Sequence, residues 1–364
     1  MEKQLAEILN AIQPADEKAR MLAKERQEKL AKPPGSLGKL EDISIQLAGI
    51  TGKVKNHIDK KRMIVLCADN GVVEEGVSSS PVSVTAAQAV NMTRHKTGMS
   101  SIAAAFGCEI QVVDVGIKCP YDCDAVINAK IAPGTKNLHR EPAMTREQAL
   151  TAILTGVRLA RQAKEEGVDI IGIGEMGIGN TTTSSLVLMS LTGISVEAAT
   201  GRGGGLTDEA FALKKRVIRE SLELHRPDSS DVVDVLSKVG GFDIAAMCGV
   251  FLGAALERIP AVIDGFISVV AALSAVKLCP EVKAYIFPSH ASYEPGYSAA
   301  IEALGLSPWL MLNMRLGEGS GCPIAFAVIE AACAAMNDMA LFGEESEIDD
   351  SYLDDIRGKD SFSI

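Results

Sequence analysis

Glu318 stands between two glycines in Met314-Arg315-Leu316-Gly317-Glu318-Gly319-Ser320-Gly321-Cys322-Pro323, and an apolar helical run from Ile324 to Met336 follows it. Glycine has no Cβ, so backbone N–H groups there can approach a ligand closely and positive φ is open to the chain. A helix start just downstream presents N–H groups without intrahelical partners, and these favour anions. A ligand could lie on main chain while one carboxylate reaches it. The same string also fits a Gly-rich turn with a solvated glutamate, and its own spacing does not separate the two.

Other candidates are spread along the chain. Gly172-Ile173-Gly174-Glu175-Met176-Gly177 matches the G-x-G-x-x-G pattern of dinucleotide binding. Against that use, a charged Glu175 sits in the turn and the helix is expected only near Asn180. Gly177-Ile178-Gly179-Asn180-Thr181-Thr182-Thr183 suits phosphate or ribose at a helix N-terminus, or an ordinary Asn/Thr cap. Thr200-Gly201-Arg202-Gly203-Gly204-Gly205, followed by Lys214 and Lys215, could cradle phosphate or be a surface loop. It is no P-loop, since G-x-x-x-x-G-K-[ST] is missing. Asp69-Asn70, Asp243 and Asp264 are expected at loops or strand ends, where Asp most often serves turns. Ser289-His290-Ala291-Ser292 could bind phosphate through hydroxyl and backbone. No carboxylate is obviously paired with His290, so a structural or binding role is expected of it. No H-E-x-x-H, paired His spacing or dense acidic run occurs, so no metal is expected. G-x-S-x-G is missing as well, which argues against an α/β-hydrolase nucleophile.

The elements that must hold these groups alternate. Strand-length apolar runs at Met63–Cys67, Ile110–Val115, Asp169–Ile173, Ala261–Ile263 and Tyr285–Phe287 each end in Gly or polar residues. Helical patterns separate them, most clearly from Thr145 to about Glu166, with a Thr145/Gln148 capping box and Gly167 as the stop. The alternation predicts an α/β fold, a parallel sheet covered by helices, with ligands at the carboxyl ends of the strands. Residues 1–60 contain no strand. One helix is expected before Pro14 and a second from about Asp16 to Leu30. A third is expected after the Lys32–Gly38 break, with Ser36 as a possible cap. Residues 306–364 are again mostly helical, apart from an acidic tail around Glu344–Asp350 that reads as a solvated face. The expected organisation is an α/β domain over 61–305 and a small helical domain built from 1–60 and 306–364.

Composition narrows the function. The chain has 364 residues, 47% apolar and 23% charged, with a net charge of −11. That charge argues against nucleic acid and anionic membrane as partners. Only 4% of residues are aromatic, which leaves few stacking platforms for single strands. Eight cysteines lie mostly in apolar runs, as buried thiols do. Cys119 and Cys123 form the only close pair, and nothing completes a zinc site. No membrane-length apolar run and no signal-peptide core is present, so a cytoplasmic protein is expected.

Taken together, the segments resemble the nicotinate-nucleotide–dimethylbenzimidazole phosphoribosyltransferases. The resemblance runs through Lys32–Gly38, Cys67-Ala68-Asp69, Glu75–Gln88, Val113–Ile117, Gly174–Gly177, Asn180-Thr181-Thr182, Asp234–Asp243, Asp264-Gly265-Phe266, Pro288-Ser289-His290 and Met314–Gly321. So many collinear segments are more specific than any one glycine loop. The resemblance implies a Rossmann-like parallel sheet with helices on both faces, a small helical domain from both chain ends, and a homodimer. It implies transfer of 5-phosphoribosyl from nicotinate mononucleotide to a benzimidazole, giving α-ribazole 5′-phosphate and nicotinate, with no cofactor. By resemblance Glu318 is the catalytic base and Glu175 a second active-site carboxylate. Gly177, Gly203, Lys214 and Ser292 match positions around the nucleotide phosphate, and Ser80, Gln88 and Leu316 match the base pocket. Asn180, Asp243 and Asp264 join the substrate-binding candidates. The Gly201–Asp208 loop, which carries Arg202, departs from the relatives, so the Gly203 assignment is less secure than that of Glu318.

The chemistry fits. One benzimidazole nitrogen attacks C1′ while the other loses its proton to a carboxylate, a step that contributes about 10²–10⁴-fold. The departing pyridinium leaves as a neutral ring and needs no acid. In-line attack predicts inversion from β to α. Two rivals remain: a nicotinamide-dinucleotide oxidoreductase using Gly172–Gly177, and a non-catalytic nucleotide- or corrinoid-sensing protein.

Overall fold

The computed structural model describes residues 1–343 together with Ser346, Ile348, Asp350 and Ser351. Most of the expected acidic tail lies outside the described residues.

Among the described residues six strands form one parallel sheet: β1 (Lys61–Ala68), β2 (Glu109–Gly116), β3 (Ile127–Asn128), β4 (Ile170–Met176), β5 (Ala261–Ile263) and β6 (Ile286–Pro288). Their order is β3-β2-β1-β4-β5-β6. Five of the six match apolar runs of the sequence. The two-residue β3 carries exposed residues and no hydrophobic signal, so periodicity could not find it. Met63 to Ala68 is buried without interruption, because helices cover both faces of the sheet. The chain winds one way from β1 to β3 and the other way from β4 to β6. This reversal opens a crevice at the carboxyl ends of β1 and β4, where open α/β sheets bind ligands.

Local signals set several helix ends. The helix Arg146–Glu165 starts on the Thr145/Gln148 capping box and stops at Gly167, whose φ is 73°. Asp16 caps Glu17–Lys29 by accepting the Ala19 N–H at 2.9 Å. Ser36 caps nothing: the third helix is Lys39–Thr51, and Gly38 holds the cap position with φ 52°. Glu41 does the local work instead. Its Oε1 takes the Leu37 N–H at 3.0 Å and the Lys32 ammonium at 2.6 Å.

The last long helix runs Cys322–Asp338, two residues earlier than its apolar pattern suggested, with Pro323 in the first turn. It shares a small apolar cluster, Ala19, Ala23, Ala48 and Met336, with the helices Glu17–Lys29 and Lys39–Thr51. Leu5, Ile8, Ile43, Leu47 and Ile50 belong to the main core beside the sheet. No helix among the described residues is long and apolar enough to cross a membrane.

Candidate active site

The loop before Cys322 turns back over the end of β4. Gly317, Glu318 and Gly319 all have positive φ, at 84°, 65° and 94°. For a residue with a Cβ, such a conformation costs of order 1–3 kcal/mol and persists only where its surroundings impose it. The surroundings here are specific. Glu318 donates its N–H to Glu175 Oε1 at 3.3 Å, and Gly319 and Gly321 donate theirs to the two carboxylate oxygens of Asp264 at 3.0 and 2.7 Å. Gly174 in β4 lies so close to the Glu318 backbone that an added Cβ would stand 2.7 Å from its carbonyl carbon. The Glu318 carboxylate is held too, since its Oε2 accepts the N–H of Met99 at 3.0 Å, at the start of the helix Gly98–Ala105.

A cavity of about 260 Å³ opens beside this loop. Its walls include Glu318, Glu175, Ser80, Gln88, Gly177, Asn180, Gly203, Asp264, Ser292 and Leu316, so most of the candidates converge there. Leu316 is 57% exposed and stands at the mouth.

Two candidates lie behind the wall. Asp243 is fully buried and sits in the first turn of the helix Phe242–Leu256, not at a loop or strand end as expected. In the sequence Gly240-Gly241 reads as a turn, whereas Gly241 is already the helix cap. Lys214 is also fully buried, with Nζ on Thr181 Oγ1 at 2.9 Å and on the Gly201 carbonyl at 3.1 Å. Its ammonium thus braces the two glycine loops together. Asp69 does not line the cavity, and its oxygens take Thr85 Oγ1 at 2.6 Å and the Lys118 N–H at 2.7 Å. These bonds reach 16 and 49 residues along the chain, so Asp69 ties the end of β1 to remote segments and closes no local turn with them.

The carboxylates are coupled by burial. The Asn180 amide nitrogen bonds Glu175 and also Asp243 Oδ2, the latter at 3.1 Å. Burial, then the Asp243 charge, pushes Glu175 up to about 8. Burial pushes Asp243 up to about 6 and raises Asp264 against the opposing effect of His290. Burial lowers Lys214 to about 8, which the Glu294 charge partly offsets. The chain order disperses these acids, yet the fold gathers Glu175, Asp243 and Asp264 under the Glu318 loop. His290 does face a carboxylate, contrary to expectation: its Nδ1 is 3.7 Å from Asp264 Oδ1, and both residues are buried. Among the described residues no cluster of three or more His, Cys, Asp or Glu side chains is arranged to hold a metal ion.

The dinucleotide pattern is explained away by the strand. Gly172 and Gly174 lie inside β4, where they admit Phe326 and the Glu318 loop, instead of forming a phosphate turn after it. Sequence reasoning missed Met99 and Glu294. Met99 could have been suspected from Thr97–Ser100, which forms a capping box. Glu294 follows the Ser292 motif and lines the cavity beside Arg315.

Comparison with known proteins agrees with this architecture. A phosphoribosyltransferase family model matches residues 12–346. The nicotinate-nucleotide–dimethylbenzimidazole phosphoribosyltransferase of Clostridium perfringens strain 13 is 52% identical over 360 residues, 99% of each chain. Its counterpart from Clostridium tetani is 49% identical over 357 residues, covering 98% of this chain and 99% of the relative. The crystal structure of CobT from Thermus thermophilus superposes with a TM-score of 0.86 at 36% identity, covering 91% of this chain and all of that one. The chain therefore belongs to the nicotinate-nucleotide–dimethylbenzimidazole phosphoribosyltransferase family and is an enzyme of the pentosyl-transferring class.

Proposed function

We propose that the protein transfers the 5-phosphoribosyl group of nicotinate mononucleotide to 5,6-dimethylbenzimidazole or a related flat base. The products are α-ribazole 5′-phosphate and nicotinate, and the step serves cobalamin biosynthesis. The names of the relatives support the reaction. One observation carries the mechanism: Glu318 presents its carboxylate at the cavity from a positive-φ loop and is oriented by Met99.

In this reading a ring nitrogen of the acceptor forms the new bond to C1′ as the C1′–pyridinium bond breaks. The bonding pair returns to the nicotinate ring nitrogen, which leaves uncharged. Glu318 takes the proton from the acceptor's other nitrogen, so the new product does not carry a cation. Positive charge grows at C1′ meanwhile, and nearby carboxylates stabilise it. Gly203, Ser292 and the helix start at Asn180 hold the phosphate, while Lys214 acts through Thr181 and Gly201. Ser80, Gln88 and Leu316 shape the base pocket.

Purified protein with nicotinate mononucleotide and a panel of bases tests the reading. Release of nicotinate with an α-configured product is expected. A β product, or no product with any base, would refute it. We also infer a homodimer, consistent with the exposed apolar side chains of Tyr293, Met311 and Leu312. Light scattering that returns a monomer mass would remove that inference.

A further inference from the structure

We propose that Asp264 and His290 are positioning residues for the Glu318 carboxylate. Asp264 pins the main chain of the Glu318 loop, and His290 supports both Asp264 and that main chain from beneath. The proposal rests on Glu318 acting as the base.

Asp264 follows β5 and would be expected, as an aspartate at a sheet edge, to face the ligand. Its oxygens are instead occupied. Oδ2 takes the Gly319 N–H at 3.0 Å and Oδ1 takes the Gly321 N–H at 2.7 Å. These two bonds lie immediately beyond Glu318, whose φ of 65° needs external support. Charge-assisted bonds to a carboxylate are about twice as strong as neutral ones, so an ionised Asp264 is suited to hold this turn.

His290 completes the clamp. Ser289 Oγ donates to the Asp264 carbonyl at 3.3 Å, which uses its single proton. The same Oγ lies 3.2 Å from His290 Nδ1, so Ser289 links the two residues. That same Nδ1 is 3.7 Å from Asp264 Oδ1. The ring also forms the floor of the loop. A Cβ on Gly321 would run into His290 Nδ1 and come within 2.7 Å of Ser289 Oγ. The His290 ring is thus in contact with the loop backbone and lies beside the carboxylate that holds it.

Among the described residues, the titratable groups that interact with Asp264 include His290, Glu175, Tyr297 and Cys322. His290 is the one that favours the charged carboxylate, and without it the Asp264 carboxyl moves further up. The loop would then be released at higher pH than in the wild type.

Two variants test this. In Asp264→Asn one oxygen can still accept an N–H, but the amide NH2 confronts the other N–H donor. In His290→Gln the ring that supports the loop and the neighbour that favours the charged Asp264 carboxylate are both lost. Both are expected to lower kcat, Asp264→Asn by about 10²-fold, the usual cost of misplacing a reacting group by about 1 Å. The KM for nicotinate mononucleotide should hold. In His290→Gln the acidic limb of kcat should shift to higher pH. Amide hydrogen exchange of the 314–323 segment should accelerate in both variants while the β1 and β4 segments stay protected. That readout is independent of turnover, so failure of the proposed reaction would show as an inactive wild type with the exchange result unchanged. Wild-type exchange rates in both variants, or a raised KM with unchanged kcat, would overturn the proposal.

Discussion

Glu318 Oε2 accepts the backbone N–H of Met99 at 3.0 Å, joining two segments 219 residues apart. This bond orients the carboxylate before any substrate arrives. Glutamine at 318 can still accept that N–H but cannot take a proton. Glu318→Gln should therefore lower turnover by about 10²–10⁴-fold, the usual worth of general-base catalysis. Affinity for nicotinate mononucleotide should change little. Steady-state kinetics with a direct binding titration measures both, and unchanged nicotinate release would mean that no base acts at this position.

Gly174→Ala probes how closely β4 meets the loop. The added methyl would stand 2.7 Å from the Glu318 carbonyl carbon and 2.9 Å from Gly319 Cα, both backbone atoms that cannot rotate away. Overpacking of this kind costs about 1–3 kcal/mol. A lower denaturation midpoint with reduced kcat is expected. A fully stable variant with wild-type kcat would show that the loop has another position open to it.

Glu175 gives stability a pH slope. Its ordinary value of 4.5 rises to about 8 in the folded protein, mainly through burial. Between those values the folded state keeps a proton that the unfolded chain releases. The folded state binds more protons, so stability is lost as pH rises through this window. Glu175→Gln removes the titration, and the Asn180 amide can still donate to it. Tm measured from pH 5 to 8 should fall less steeply in this variant, with the remaining slope coming from Asp243 and Asp264. An unaltered slope would place the titration elsewhere.

Lys214 should limit nucleotide binding in alkali. Burial lowers it from 10.5 to about 8, so its positive charge fades above that pH. The KM for nicotinate mononucleotide should rise as pH passes about 8, and Lys214→Met should begin with a high KM that lacks this limb. An identical pH dependence in both proteins would show that Lys214 does not support phosphate binding.

Much of the fold was legible because its signals are local. Apolar runs of strand length, the Thr145/Gln148 box and the Gly167 stop depend on neighbouring residues alone. Ser36 misled because a serine before a helix is a common cap, while Glu41 reaches back from the first turn and satisfies the Leu37 N–H instead. Strand β3 was invisible because two exposed residues have no periodicity.

The site divides the same way. The sequence by itself determined the glycine-flanked Glu318, the alternating strands and helices, and the family pattern that named most of the cavity wall. Only the tertiary structure decided what holds Glu318 in place. Met99, Glu175, Asp264 and His290 come from four distant segments and meet only when the sheet forms. Side chains at i and i+4 announce themselves in a sequence, whereas bonds from backbone N–H groups to remote carboxylates leave no pattern in it. The tertiary structure likewise placed Asp243 and Lys214 behind the wall, because burial depends on everything packed around a residue.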